Sequence, residues 1–251
     1  MRQKIIAGNW KMYKTAGEAE TTIAALANHL SHSVTTNQIY IAAPFVYLDS
    51  LIRRFGNTQI RFGAQNLSEH DEGAYTGEIS GKMLHSIGCH FVLTGHSERR
   101  QYFGETDIIL HQKIIAAFRN LLQPIFCCGE ILEDRKAGNH FQVVQRQVEE
   151  ALFGLSADSI RKLVIAYEPV WAIGTGVTAS PAEAQVMHKF IRNLIGKKFG
   201  NETSEEIQLL YGGSVKPENA NELFSQADID GGLVGGASLS ADDFIKIIES
   251  I

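Results

Sequence analysis

Short apolar or β-branched runs recur along the whole chain, at Ile5 to Ala7, Ile39 to Ala43, Arg61 to Ala64, Phe91 to Leu93, Pro124 to Cys127, Leu163 to Tyr167, Ile207 to Leu210 and Ile229 to Val234. They read as continuous rather than alternating, the pattern of parallel strands covered on both faces. The third and eighth give the weakest signal, because Gly and polar residues interrupt them. Amphipathic stretches lie between the runs. Thr21 to Leu30 places Ile23, Leu26 and Leu30 on one stripe, and Ile108 to Phe118 does the same with Ile108, Ile114, Ile115 and Phe118. Ser180-Pro181 ahead of Ala182 to Ile195 reads as an N-cap followed by Pro at the first helical position. No Pro/Ser linker or charge block divides this βαβα alternation, so residues 1–251 are expected to form one α/β domain. Eight units suit a closed (β/α)8 barrel of parallel strands with outer helices, although an open doubly wound sheet also alternates.

Composition narrows the function. With 44% hydrophobic and 20% charged residues, the chain has the make-up of a globular protein. A net charge of -5 gives no global footprint for nucleic acid or an anionic membrane, so any anion site must be local. The adjacent basic pairs Arg53-Arg54, Arg99-Arg100 and Lys197-Lys198 are too short for polybasic patches and are expected on solvated helix faces. Cys89, Cys127 and Cys128 lack CxxC spacing and cannot form a disulfide framework, which suggests buried, reduced thiols in a cytoplasmic protein. No apolar run approaches the ~20 residues that span a bilayer, and no signal-peptide core precedes Gly8-Asn9, so a soluble, unexported protein is expected.

In a barrel of this kind the chemistry collects beyond the C-terminal ends of the strands. The first run is followed by Gly8-Asn9-Trp10-Lys11, the fourth by Thr94-Gly95-His96-Ser97-Glu98, and the sixth by Glu168-Pro169. Taken singly, Glu168 reads as a surface carboxylate, His96 as a structural histidine, Lys11 as a solvated lysine and Asn9 as a turn residue. Convergence of separate strand ends on one mouth favours a catalytic reading. Ser97 and Glu98 can open a helix, leaving His96 beside a positive helix terminus that disfavours its imidazolium form. The seventh and eighth runs lead into Gly212-Gly213-Ser214 and Gly235-Gly236, where exposed N–H groups form an anion nest and suggest a phosphorylated substrate. HExxH and PCxxC spacings do not occur, so no metal role is assigned.

Gly174-Thr175-Gly176-Val177-Thr178-Ala179 matches a dinucleotide fingerprint, which would make the protein a nicotinamide-dependent dehydrogenase. Its late position, its distance from the strand and the lack of an acid after the next run fit a lid better. In that reading Pro169 to Trp171 and Val177 to Ala179 are hinges around a mobile tip. A non-catalytic phosphate-binding scaffold is a third class, which the presence of Asn9, Lys11, His96 and Glu168 together argues against.

Six stretches, AGNWKM (7–12), AQNLSEHDEGAYTGEIS (64–80), GHSERR (95–100), AYEPVWAIGTG (166–176), YGGSV (211–215) and LVGGASL (233–239), make the chain resemble the triosephosphate isomerase family from Ala7 to Leu239. The resemblance implies a cofactor-independent (β/α)8 homodimer that interconverts dihydroxyacetone phosphate and glyceraldehyde 3-phosphate, a reaction of glycolysis and gluconeogenesis. It also implies Glu168 as the base, His96 as the electrophile, and Asn9 and Lys11 as the substrate-binding pair. Gly174, Ser214, Gly235 and Gly236 would donate backbone N–H groups to the phosphate, while Glu98 would orient Lys11 and Ser97 would support the site without touching substrate. Three departures are Val177 for a common lysine, Tyr13 for a frequent Asn, and Cys128 for an aliphatic; only Val177 bears on the lid. Gln65 to Ser80 is long for a βα connection, where roughly 2 to 6 residues are usual, and its tip, with Tyr75 and Thr76, is expected to enter a partner subunit near Lys11 and His96.

Overall fold

The computed structural model describes residues 2–173 and 178–251. Eight strands, β1 (Ile5–Asn9), β2 (Gln38–Ala43), β3 (Ile60–Ala64), β4 (Phe91–Thr94), β5 (Gln123–Cys128), β6 (Val164–Tyr167), β7 (Gln208–Tyr211) and β8 (Gly231–Val234), form a closed parallel barrel in sequence order. β8 returns to β1, with Ile5 beside Gly231 and Gly8 beside Val234, and this closure excludes the open doubly wound sheet. The sequence runs match the eight strands, with shifted ends. β1 continues through Gly8 and Asn9 because these buried residues still pair with Ile41 and Ala42. β8 starts two residues after Ile229 because the Asp230 carboxylate takes the Leu209 N–H.

Alternation around this ring makes two cores. Ile5, Ala7, Tyr40, Ala42, Ile125 and Cys127 pack with other inward residues on the barrel axis. Ile6, Ile41, Phe126, Cys128 and Ile165 face the helix layer instead. Apart from exposed Arg61 in β3 and the half-buried Gln38, Gln123 and Gln208 at strand starts, both faces of the strands are therefore dry, which accounts for the continuous apolar runs. All three cysteines are free thiols and buried.

The helices are α1 (Ala16–His32), α2 (Phe45–Phe55), α3 (Gly81–Ser86), α4 (Ser97–Phe103), α5 (Asp107–Arg119), α6 (Leu132–Lys136), α7 (His140–Leu152), α8 (Ala157–Lys162), α9 (Pro181–Phe199), α10 (Asn201–Glu206), α11 (Pro217–Phe224) and α12 (Ala241–Ile248). Reciprocal capping boxes start two of them, Thr15 with Glu18 at α1 and Ser180 with Glu183 at α9. α1 buries Ile23, Leu26 and Leu30 as its stripe requires. In α5 the stripe is rotated: Ile108 is exposed and Leu110, Ile114 and Ala117 are buried. The Arg99-Arg100 pair is also unlike the solvated expectation. Arg99 pairs with Glu105 at 2.6 Å, and Arg100 donates to Gly95 O, Cys127 O and Asp107, locking α4 onto the end of β4. Among the described residues, no helix is long and apolar enough to cross a membrane.

At the base of the barrel a charge cluster holds the ends of β1, β7 and β8. Buried Arg192 reaches Asp228 at 2.7 Å, Asp230 at 2.8 Å and Ile207 O at 3.0 Å. Arg2 completes the Asp230 carboxylate at 2.7 Å, and Lys4 donates to Phe224 O and Ile229 O.

Candidate active site

Strand parity explains which polar groups meet at the mouth. Ile5 and Ala7 point to the axis, so Asn9 does too; Val164 and Ala166 do likewise, so Glu168 follows them. Asn9, Lys11, His96, Glu168, Ser214, Gly235 and Gly236 all line one cavity of about 720 Å³. It lies at the C-terminal end, in contact with the ends of β1, β4, β6, β7 and β8. Gly174 and Val177, and with them most of the lid tip and of the GTGVTA stretch, lie outside the described residues. Thr76 and Tyr75 stand elsewhere, exposed on the loop after β3, where the Tyr75 ring stacks on His70 at 4.0 Å.

Glu168 is 1% exposed. Its Oε2 accepts the Ser97 N–H at 2.8 Å, whereas Oε1 has no hydrogen-bond partner and stands 3.2 Å from His96 Nε2. His96 caps α4: its Nδ1 accepts the Glu98 N–H at 3.3 Å, which leaves Nε2 as the ring nitrogen free to donate. The lysine is held from several sides. Lys11 Nζ pairs with Glu98 Oε1 at 2.7 Å, its N–H donates to Asn9 Oδ1 at 3.0 Å, and Gln65 Nε2 donates to its carbonyl at 2.8 Å. Its backbone has φ +50°, a region that non-glycine residues enter uncommonly, so these contacts maintain a costly conformation.

The space beside Glu168 is guarded by glycine. A Cβ on Gly212 would stand 2.8 Å from Glu168 Cγ, so any larger residue there displaces the carboxylate. Gly236 is the opposite case: a Cβ there meets no atom within 4 Å, although the residue lines the cavity. Beneath the site, burial followed by the Glu168 charge pushes the Cys127 thiol well above its usual range, leaving it protonated and inert.

Of the buried carboxylates that went unread in the sequence, Glu130 follows a strand end near the site. Glu130 is fully buried and takes hydrogen bonds from Tyr167 OH at 3.0 Å and Trp171 Nε1 at 2.9 Å, while its carbonyl takes the Val170 N–H. Burial raises its pKa against those donors. It ties the end of β5 to the 3-10 turn Val170–Ala172 that follows β6. The strand-end rule applied to the fifth run, which leads into Gly129-Glu130, would have found it.

Fold and site together define a (β/α)8-barrel enzyme whose mouth carries a buried carboxylate, an imidazole and a lysine. The triosephosphate isomerase family model matches residues 4–251. Triosephosphate isomerases of Flavobacterium johnsoniae and Porphyromonas gingivalis are each 50% identical, over 251 and 250 residues, and each alignment covers 100% of both chains. That of Moorella thermoacetica is 50% identical over 248 residues, 99% of this chain and 98% of the relative. The chain belongs to the triosephosphate isomerase family.

Proposed function

We propose that Glu168, His96, Lys11 and Asn9 carry the chemistry of this family at the barrel mouth. The reaction is an aldose–ketose isomerisation, in which dihydroxyacetone phosphate and D-glyceraldehyde 3-phosphate interconvert through an enediolate, as in glycolysis and gluconeogenesis. Glu168 takes a proton from one carbon and returns it to the next. His96 Nε2–H serves the two oxygens in turn, and Lys11 opposes the negative charge of intermediate and phosphate. Backbone N–H groups of Ser214, Gly235 and Gly236, with Gly174, receive the phosphate. Glu98 orients Lys11, and the Ser97 N–H holds the base between turnovers. The steps require proton transfer alone.

The observation that carries this reading is the buried Glu168 carboxylate with one oxygen held by Ser97 and the other unpartnered beside His96 Nε2. Purified protein given glyceraldehyde 3-phosphate in deuterium oxide should form the ketose with solvent deuterium on carbon. Absence of conversion in folded protein overturns it.

The active form is a homodimer in this proposal, and the whole chain works as one barrel domain in the cytoplasm. Exposed apolar side chains support the dimer: Met12 follows β1, Val46 follows β2, Tyr75 and Met83 follow β3, and Phe103 follows β4. Strands adjacent in sequence are adjacent in the ring, so these residues follow neighbouring strands on one half of the barrel. Tyr75 and Thr76 of each subunit then brace the partner's mouth, and activity should fall on dilution with the loss of dimer seen by sedimentation. Full activity in a monomer would refute the coupling.

A further inference from the structure

We propose that Lys14 is a positioning residue for the phosphate end of the site. Its ammonium ties the turn that presents Gly235 and Gly236 to the loop that presents Asn9 and Lys11. The inference rests on the reading that those glycines receive the phosphate.

The ammonium has three donors and three distinct neighbours. Lys14 Nζ donates to Leu239 O at 2.8 Å and to Thr22 Oγ1 at 2.8 Å, and lies 5.3 Å from the centre of the Trp10 ring. Leu239 ends the 3-10 turn Gly236–Leu239. The preceding residue of that turn is gripped by the same β1 segment: fully buried Trp10 donates its Nε1–H to Ser238 O at 3.0 Å. Gly8 allows the close approach, since a Cβ there would come within 2.9 Å of Ser238 Cβ. Ser238 passes the restraint on, because its N–H and its hydroxyl both donate to Gly235 O, at 2.9 and 2.7 Å. Residues 8, 10 and 14 thus fix the Gly235 peptide from behind.

Lys14 does not line the main cavity, so it acts through the turn rather than on substrate. Its backbone has φ +71°, again uncommon for a residue with a side chain, and the clamp holds it there. Phosphate binding by backbone N–H groups depends on their fixed direction, so a loosened turn lowers affinity in ground state and transition state alike. Such a loss appears in KM and leaves kcat in place.

Lys14→Met keeps the aliphatic stem and removes the donors. KM for glyceraldehyde 3-phosphate and the inhibition constants of inorganic phosphate and 2-phosphoglycolate should each rise about tenfold, with kcat within about twofold. Lys14→Cys alkylated with 2-bromoethylamine regains an ammonium of similar reach and should restore KM; the three native cysteines are buried. Gly236→Val provides the control, since its side chain enters open space in the cavity and should abolish phosphate inhibition in folded protein. If Gly236→Val leaves phosphate inhibition intact, the phosphate assignment falls and the clamp with it. If Gly236→Val abolishes inhibition while Lys14→Met leaves KM and both inhibition constants unchanged, the clamp alone is overturned. A fall in kcat and melting temperature that the alkylated cysteine does not reverse also overturns it, since that is the signature of a purely structural lysine.

Discussion

Charge is buried at both ends of this barrel, under opposite arrangements. At the base, the Arg192 guanidinium meets Asp228, Asp230 and backbone carbonyls, and Asp230 in turn takes Arg2 and the Leu209 N–H. At the mouth, the Glu168 carboxylate is as deeply buried yet keeps Oε1 without a hydrogen bond. A saturated cluster fixes geometry and has no remaining capacity for a ligand. An unsaturated carboxylate costs stability and has a free lone pair for a proton. Glu105 prevents a simple rule, because its Oε2 is also unpartnered while its Oε1 takes Arg99 and Lys113, each at 2.6 Å. An orphan oxygen therefore signals chemistry only where it shares a cavity with other reactive groups, as Glu168 does.

The largest expected effect strikes the mouth. Glu168→Gln removes the proposed base and should lower kcat by at least ~100- to 10,000-fold while the melting temperature holds or rises, since the buried orphan charge is gone. Stopped assays beside thermal melts check this, and near-normal turnover in folded protein would sink the mechanism. At the base the pattern reverses. Arg192→Met leaves Asp228 without its cation and Asp230 with Arg2 alone, and should cost about 3 to 5 kcal/mol in denaturant unfolding. The protein that remains folded should keep its KM.

The smallest effect is a pH dependence at Glu105. Burial pushes this carboxyl up, but Lys113 and Arg99 outweigh it and bring the pKa below the usual value. A lowered folded pKa means stability that is present above the ordinary glutamate range, about 4.3, and lost as pH falls through the folded value. The stability gap between the native protein and Glu105→Gln should therefore be widest at neutral pH and narrow on acidification. A gap independent of pH would show that the loss is one of packing rather than charge.

Much of the architecture was legible because it is local. Dry strands give continuous apolar runs, and Ser180-Pro181 marks the start of α9 whatever surrounds it. The residues brought to the mouth were legible because strand ends are recognisable in a chain of alternating units. What the sequence hid depends on partners far away along it. Lys14 meets Leu239, Arg192 meets Asp230 and Glu130 meets Trp171, and nothing near any of the six announces the pairing. The α5 stripe was misread for a related reason: Ile108 lies beyond the face that α7 and β5 cover, and periodicity alone cannot say where covering stops.

Closure of the ring also has a consequence for synthesis. β1 emerges first from the ribosome, yet one of its two edges stays without a mate until β8 is made, since Ile5 lies against Gly231. Until then the nascent barrel exposes open strand edges on β1 and on whichever strand was made last, and such edges recruit other chains. The final join is narrow: β7 and β8 share one registered pair, Tyr211 with Gly232. Its companion seam needs a glycine, because Gly231 sits at φ +129° and a Cβ there would fall 1.9 Å from Ile5 O. A side chain at position 231 would thus obstruct the last step of assembly and leave a long-lived, adhesive intermediate, so its damage should appear as aggregation during expression rather than as altered kinetics in the protein that survives.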